Sequence, residues 1–324
     1  MTDGQAFRKN SSLFFYLITQ SLVFVVATAF CQRAHALTEA YVTASIVELA
    51  DRDGLTETAR EVFYLNQPQI ISDRKLFNDR CIGHEVHPKK SSLLGCYLST
   101  DQGIFIFNIT DKRLNGTMEL TAAHELLHAF YLRLSDLEKH DIDDAIEASF
   151  KTIRDPDIKF RLSLYSIEQR RAELHSILGT ETLHLPNKLE IYYSRFFRNR
   201  LKIVAFAKAS KAEIEKRVGE VSRYDKKLDQ QKREVDRKTK QISSLQHQIA
   251  GLKTQLDILR PKAQQQIPEY NRLSDIINLK IRKYNSSIRN YNKLVNDYNC
   301  TSATRNSIAV DTEKLVQKLD TRSL

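Results

Sequence analysis

From Ile214 to Leu256 an apolar residue returns every seven positions, at Ile214, Val221, Leu228, Val235, Ile242, Ile249 and Leu256. A repeat of seven is two turns of an α-helix that shows one seam to a partner helix. A continuous helix over this stretch is about 70 Å long at 1.5 Å per residue. The second seam position is apolar only late, at Leu245, Leu252 and Leu259; earlier it holds Arg217, Tyr224, Gln231 and Lys238. Pro261 and Pro268 break the run. A second heptad series follows at Tyr270, Ile277, Tyr284, Tyr291 and Tyr298, with Ile281, Ile288 and Val295 beside it. Two heptad helices around a proline-marked turn predict an antiparallel coiled-coil hairpin over 207–300, with a parallel homodimer as the competing arrangement. The Tyr-Asn repeats are read as packing positions. Residues 301–324 lack the pattern and are expected to form a flexible tail.

Composition agrees with a helical chain. The 324 residues include nine Gly and six Pro, too few for the turns of an all-β sandwich. Apolar residues at 41% exclude a wholly disordered chain. The net charge is +10, and residues 207–300 alone hold 21 basic and 11 acidic side chains. The excess therefore sits in the heptad region. Such a stretch can meet nucleic acid or an anionic surface. Interleaved acids and the lack of an aromatic stacking platform favour a solvated helix face instead, so nucleic acid is not an expected partner.

Residues 12–31 read SLFFYLITQSLVFVVATAFC, without charge and about as long as a bilayer span. Arg8 and Lys9 precede the run as a positive flank. Ala34-His35-Ala36 fits a small-x-small cleavage site. Residues 1–36 are expected to form a single-pass membrane anchor, favoured by the length of the run, or a signal segment cut after Ala36. Both place the rest of the chain outside the cytoplasm. In an oxidising compartment Cys81 and Cys96, which bracket a polar loop, can pair. Closing that loop contributes about 3 kcal/mol on the chain-entropy estimate. Cys31 and Cys300 have no evident partner.

Residues 37–206 read as one domain, large enough for a core. Val42, Ile46, Leu49, Ala50, Ala59, Val62 and Phe63 have helical spacing, closed by Pro68. Residues 95–100 and 103–109 are short, rich in β-branched and aromatic side chains, and predict a pair of strands. Thr121 is a candidate N-cap for a helix running through Leu132. Further helices are expected at 142–153, 158–178 and 189–206.

Residues 124–128 read His-Glu-Leu-Leu-His. Residues four apart share a helix face, so His124 and His128 can hold one metal ion. Glu125 points off that pair but within reach of a water on the ion. This HExxH spacing is a zinc pattern. A catalytic zinc takes three protein ligands and keeps an open position for water; Glu125 is placed to take that water's proton. Ala129-Phe130-Tyr131-Leu132 follow, so the longer HExxHxxGxxH motif with its third histidine is absent. The third ligand is then a later carboxylate. The run IEQRRAELHSILGTE supplies Glu173, which stands mid-helix with Ala172, Ile177 and Leu178 nearby, and Glu168 as the alternative. Gly179 reads as the C-cap of that helix. His175 is a candidate orienting or oxyanion group, or a surface histidine. Tyr192 and Tyr193 are candidate auxiliary groups.

Residues 103–132, with AELHSILGTE and IYYSRFFRNR after them, resemble the compact gluzincin metallopeptidases. More narrowly, the stretch resembles bacterial membrane-anchored proteins with an extracytoplasmic HExxH domain. The resemblance covers roughly 66–200 and leaves out the coiled coil. It implies zinc bound by His124, His128 and Glu173, with Glu125 as catalytic base. The NExxSD signature of the thermolysin branch is absent.

The expectation is therefore a mainly α protein with a small β-sheet, an α+β zincin-like domain, and a long coiled-coil hairpin. Its expected activity is that of a membrane-anchored or exported zinc metallopeptidase. The bond cleaved is a peptide bond, by Glu-activated zinc-bound water. Expected partners are a peptide or protein substrate, the membrane through the N-terminal helix, and a coiled-coil partner or second copy. The alternative is a coiled-coil scaffold of the cell envelope with a structural or degenerate metal domain.

Overall fold

The computed structural model describes residues 42–81, 93–99, 103–260, 264 and 266–321, leaving the side chains of Ile167 and Glu168 aside. The apolar run at 12–31, with Cys31, lies outside these residues. Among the described residues no helix is long and apolar enough to cross a membrane. The chain divides into two compact units, Met1–Ala212 with Gln317–Leu324, and Glu213–Val316.

The first unit is built on three strands, β1 (Gln69–Ile71), β2 (Gly95–Leu98) and β3 (Gly103–Phe107), in the order β1-β3-β2. β3 is central and wholly buried. It pairs antiparallel with β2, Cys96 opposite Phe105, and parallel with β1, Ile70 opposite Ile106. Alternation sorts its side chains between two cores. Ile104 and Ile106 enter the main core with Tyr97. Phe105 and Phe107 enter a smaller one with Cys96, Leu98 and Ile71, capped by Phe77 and Cys81 of α3 (Arg74–Cys81). Cys81 and Cys96 form a disulfide, which ties α3 to β2. Cys300 is free and exposed.

The main core is helical. It is formed by α1 (Ala44–Asp53), α2 (Glu57–Leu65), α4 (Thr117–Arg133), α5 (Asp136–Phe150), α6 (Pro156–Ser163), α7 (Ile167–Glu181) and α8 (Asn187–Tyr193). α4 packs against α7, β2, β3, α1 and α2. Its Ala122, Ala123, Leu126, Leu127 and Ala129 are buried, and each leucine contributes about 1.5–3 kcal/mol by leaving water. A helix apolar on nearly every side belongs in a core.

Several boundaries differ from the periodicity. α1 stops at Gly54, which takes the left-handed conformation and returns its N–H to Ala50 and Asp51, so the expected helix before Pro68 is two helices. α4 begins at Thr117, not at Thr121, whose hydroxyl donates to the Thr117 carbonyl from inside the helix. The expected helix at 158–178 is broken into α6 and α7 because Ser166 caps a new start by accepting from the Gln169 N–H. The stretch 189–206 is likewise divided; Phe197 between its two helices bridges to Leu55. The expected pair of strands forms, at 95–98 and 103–107, and is antiparallel, while the three-residue β1 is too short to leave a periodic signal.

The second unit consists of α9 (Arg200–Leu259) from Glu213 onward and α10 (Ile267–Leu319) as far as Val316. Arg217 pairs with Asp311, Asp225 with Arg305, and Gln248 accepts from Lys280. Rising numbers on one helix meet falling numbers on the other, so the two run antiparallel. The expected flexible tail at 301–324 is corrected as far as Leu319, because α10 continues that far. Its buried positions there are Thr301, Thr312 and Leu315. Each threonine hydroxyl is satisfied by the carbonyl four residues back, at Asp297 and Ile308. Threonine can thus fill the seam without an apolar pattern.

Candidate metal centre

α4 presents His124 and His128 on successive turns, and α7 presents Glu173 toward them. The two helices come close because Gly179 has no side chain. A Cβ there would stand 2.4 Å from Leu127 Cδ1 and 2.7 Å from Tyr193 Cε1. Gly179 is therefore an interior residue of α7 at a helix crossing, and the helix runs on to Glu181. The C-terminal carbonyls of α7 are satisfied by the buried Arg200. It donates to the carbonyls of Leu178 at 3.3 Å and Thr182 at 2.6 Å while gripping Glu190 with two nitrogens. That clamp supplies the partners a helix end otherwise lacks.

Three donor atoms converge. The Nε2 atoms of His124 and His128 are 3.2 Å apart, and Glu173 Oε2 lies 3.5 Å from the first and 3.4 Å from the second. An ion held tetrahedrally at about 2.0–2.1 Å by such donors puts them about 3.3–3.4 Å apart. Two imidazole nitrogens and one carboxylate oxygen at these separations fit one zinc-sized ion. Burial alone would raise the Glu173 carboxyl; the two histidines overcome this and hold it well below the ordinary range. The Glu168 side chain, the alternative ligand, lies outside the described ones.

Glu125 is buried next to this cluster. Desolvation pushes its carboxyl up to about 7, opposed by His128 and by a hydrogen bond from the Tyr97 backbone N–H. β2 therefore touches the motif directly. Gly95 permits the approach, since a Cβ there would fall 2.4 Å from Thr121 Cγ2 and 2.9 Å from Glu125 Cγ. Donors and Glu125 open on a cavity of about 150 Å³, whose wall also includes Gly95, Thr121, Tyr165, Arg161 and Glu181. Arg161 holds Glu181 through two nitrogens at 2.9 and 2.7 Å. Neither residue of that pair carries a motif, and Gly95 carries only its place at the start of a strand.

His175 is not a surface residue. It is fully buried, its Nε2 lies 2.9 Å from the Tyr192 hydroxyl, and burial pushes its pKa down to about 3. Tyr193 donates to the His175 carbonyl at 2.7 Å. These three side chains brace α7 against α8 and do not line the cavity.

The sequence matches no family model, no curated protein and no solved structure.

Proposed function

We propose that the first unit is a zinc-dependent peptidase of the HExxH-plus-glutamate kind. The observation that carries the reading is the triangle of donor atoms from His124, His128 and Glu173, with edges of 3.2–3.5 Å. A divalent ion bound there polarises a carbonyl and acidifies water. Glu125, raised toward neutrality by burial, accepts a proton from the attacking water and returns it to the leaving amine, the acid–base role suited to a pKa near the working pH. Water adds to the carbonyl carbon, the C–N bond breaks, and an acid and an amine leave.

A peptide suits the site because β2 is an edge strand among the described residues. Phe107 donates to the Leu94 carbonyl, so the backbone groups of Gly95 and Tyr97 face away from β3; the Tyr97 N–H is taken by Glu125, which leaves the Gly95 groups and the Tyr97 carbonyl to a substrate. An extended chain can pair with such an edge beside the motif. The apolar run at 12–31 assigns the domain to the outside of the cytoplasm, anchored or released. The scaffold reading gains from the size of the second unit, but a structural metal has no use for Glu125.

The test measures bound zinc and cleavage of a denatured protein library together. Expected are about one zinc per chain, its loss in His124→Ala and Glu173→Ala, and its retention in Glu125→Gln with cleavage abolished. A Glu125→Gln protein that keeps zinc and cleaves like wild type would refute the role assigned to Glu125.

A further inference from the structure

The charge of the second unit is unevenly placed, and the hairpin concentrates it. Residues 213–236 carry seven basic and seven acidic side chains, 257–275 three and three, and 297–316 two and three. The two remaining stretches contain no acid. Residues 237–256 hold Arg237, Lys238, Lys240 and Lys253. Residues 276–296 hold Lys280, Arg282, Lys283, Arg289 and Lys293. They are far apart in the chain, but the antiparallel pairing sets them side by side. Lys280 donates to Gln248 at 2.6 Å, which sets 237–252 level with 276–291. Where the two stretches overlap they form a sleeve about 24 Å long, at 1.5 Å per residue, with seven cations and no anion, and Lys253 and Lys293 stand just past its two ends. Most of the +10 excess of the chain resides there.

Elsewhere in the unit cations meet acids, as in Arg217–Asp311 and Arg305–Asp225. Among the described residues, Lys240, Lys253, Arg282, Lys283, Arg289 and Lys293 form no ion pair. Arg282, Arg289 and Lys293 are exposed and share one stripe of α10, being seven and four apart. Lys240 is exposed on α9, as is Arg237, which pairs with Glu234 at the sleeve's edge. Neighbouring cations spaced within a Debye length of about 10 Å at 0.1 M salt reinforce one another's field.

We propose that this sleeve binds a linear polyanion through phosphate groups along its backbone. Guanidinium forks suit phosphate oxygens. The polymer is recognised by charge and not by bases, because Tyr284 and Tyr291 occupy seam positions and are half-buried, leaving no stacking platform. A lipid surface fits less well. Membrane-lying helices need a continuous apolar face beside the bases, and the heptad apolar residues here turn into the seam.

The test uses the full chain and labelled poly(glycerol phosphate), followed by fluorescence anisotropy across a salt series. Neutralising about five phosphates predicts a log–log salt slope near −3.5 and about a hundredfold weaker binding between about 50 and 200 mM salt. The triple variant Arg282→Gln, Arg289→Gln, Lys293→Gln should make that slope shallower by about two. Lysine at both arginine positions should restore it. Lys226→Gln, Lys227→Gln, Lys232→Gln, from the charge-balanced part, should leave it nearly unchanged. Circular dichroism checks that each variant stays helical. Equal loss in both triples, or salt-insensitive binding, overturns the sleeve. Tenfold tighter binding of oligo(dT) than of poly(glycerol phosphate) overturns recognition by phosphate alone. Phosphatidylglycerol vesicles retaining wild type but not the sleeve triple, with no polymer bound, assign it to lipid and overturn the proposal.

Discussion

α4 and the paired helices of the second unit share one backbone geometry and are stabilised in opposite ways. α4 is surrounded: Ala123, Leu127 and Ala129 have no exposed surface, and its neighbours approach so closely that Gly95 and Gly179 have no room for a methyl group. α9 and α10 between 213 and 316 touch through one seam, and a Cβ at Gly219 or Gly251 would meet nothing within 4 Å. The enclosed helix can hold its two imidazoles in a fixed triangle with Glu173 of α7, because every side of it is positioned by another element. The open pair cannot enclose a site, but it can display charge along its length.

The contrast is sharpest at Glu125. Glu125→Gln keeps the shape of the carboxylate and removes its proton affinity. Loss of an acid–base group predicts about a 10²–10⁴-fold fall in peptide hydrolysis with zinc retained, read by turnover beside metal content. The same variant has a second use in metal-stripped protein. Burial raises the Glu125 carboxyl from 4.5 to about 7. Between these values the native chain holds a proton that the unfolded chain has released, so this group's contribution falls as pH rises from about 4.5 and levels off above about 7. The total is about 3 kcal/mol. The unfolding free energy of Glu125→Gln minus wild type should therefore climb by about that amount across the window. His175, pushed down to about 3, works in the opposite sense below its ordinary 6.5, but equally in both proteins. A flat difference would mean that Glu125 is solvated.

Glycine substitutions compare the two regions directly. At Gly179 an added methyl overlaps the Leu127 and Tyr193 side chains. Overpacking of this kind costs about 1–3 kcal/mol, partly offset by about 1 kcal/mol of helix propensity, so Gly179→Ala should lower the melting temperature and weaken zinc binding. Gly219→Ala and Gly251→Ala have only the propensity term and should stabilise α9 by about 0.5–1 kcal/mol each, read as slower hydrogen exchange in that helix. Equal effects at all three glycines would erase the distinction between close packing and an open seam.

Different parts of this chain were legible for different reasons. The hairpin follows from a period of seven, which needs no knowledge of distant residues. His124, Glu125 and His128 follow from a spacing of four on one helix. The sequence favours Glu173 for its mid-helix position, yet its meeting with the histidines depends on the start of α7 at Ser166 and the crossing at Gly179, which local pattern reads as a continuous helix and a cap. The last turns of α10 leave no heptad signal because Thr301 and Thr312 fill the seam with a residue that patterning counts as polar.

What the amino-acid order determined alone is whatever depends on periodicity: two long helices, two strands, and a pair of imidazoles one turn apart. Tertiary structure decided what depends on approach between distant segments: the parallel partner β1, the third donor atom, the burial of His175, and the pairing of two acid-free stretches into one sleeve. Local backbone preference acts over a few residues, whereas these contacts join segments separated by tens of residues, and packing alone selects which of them meet.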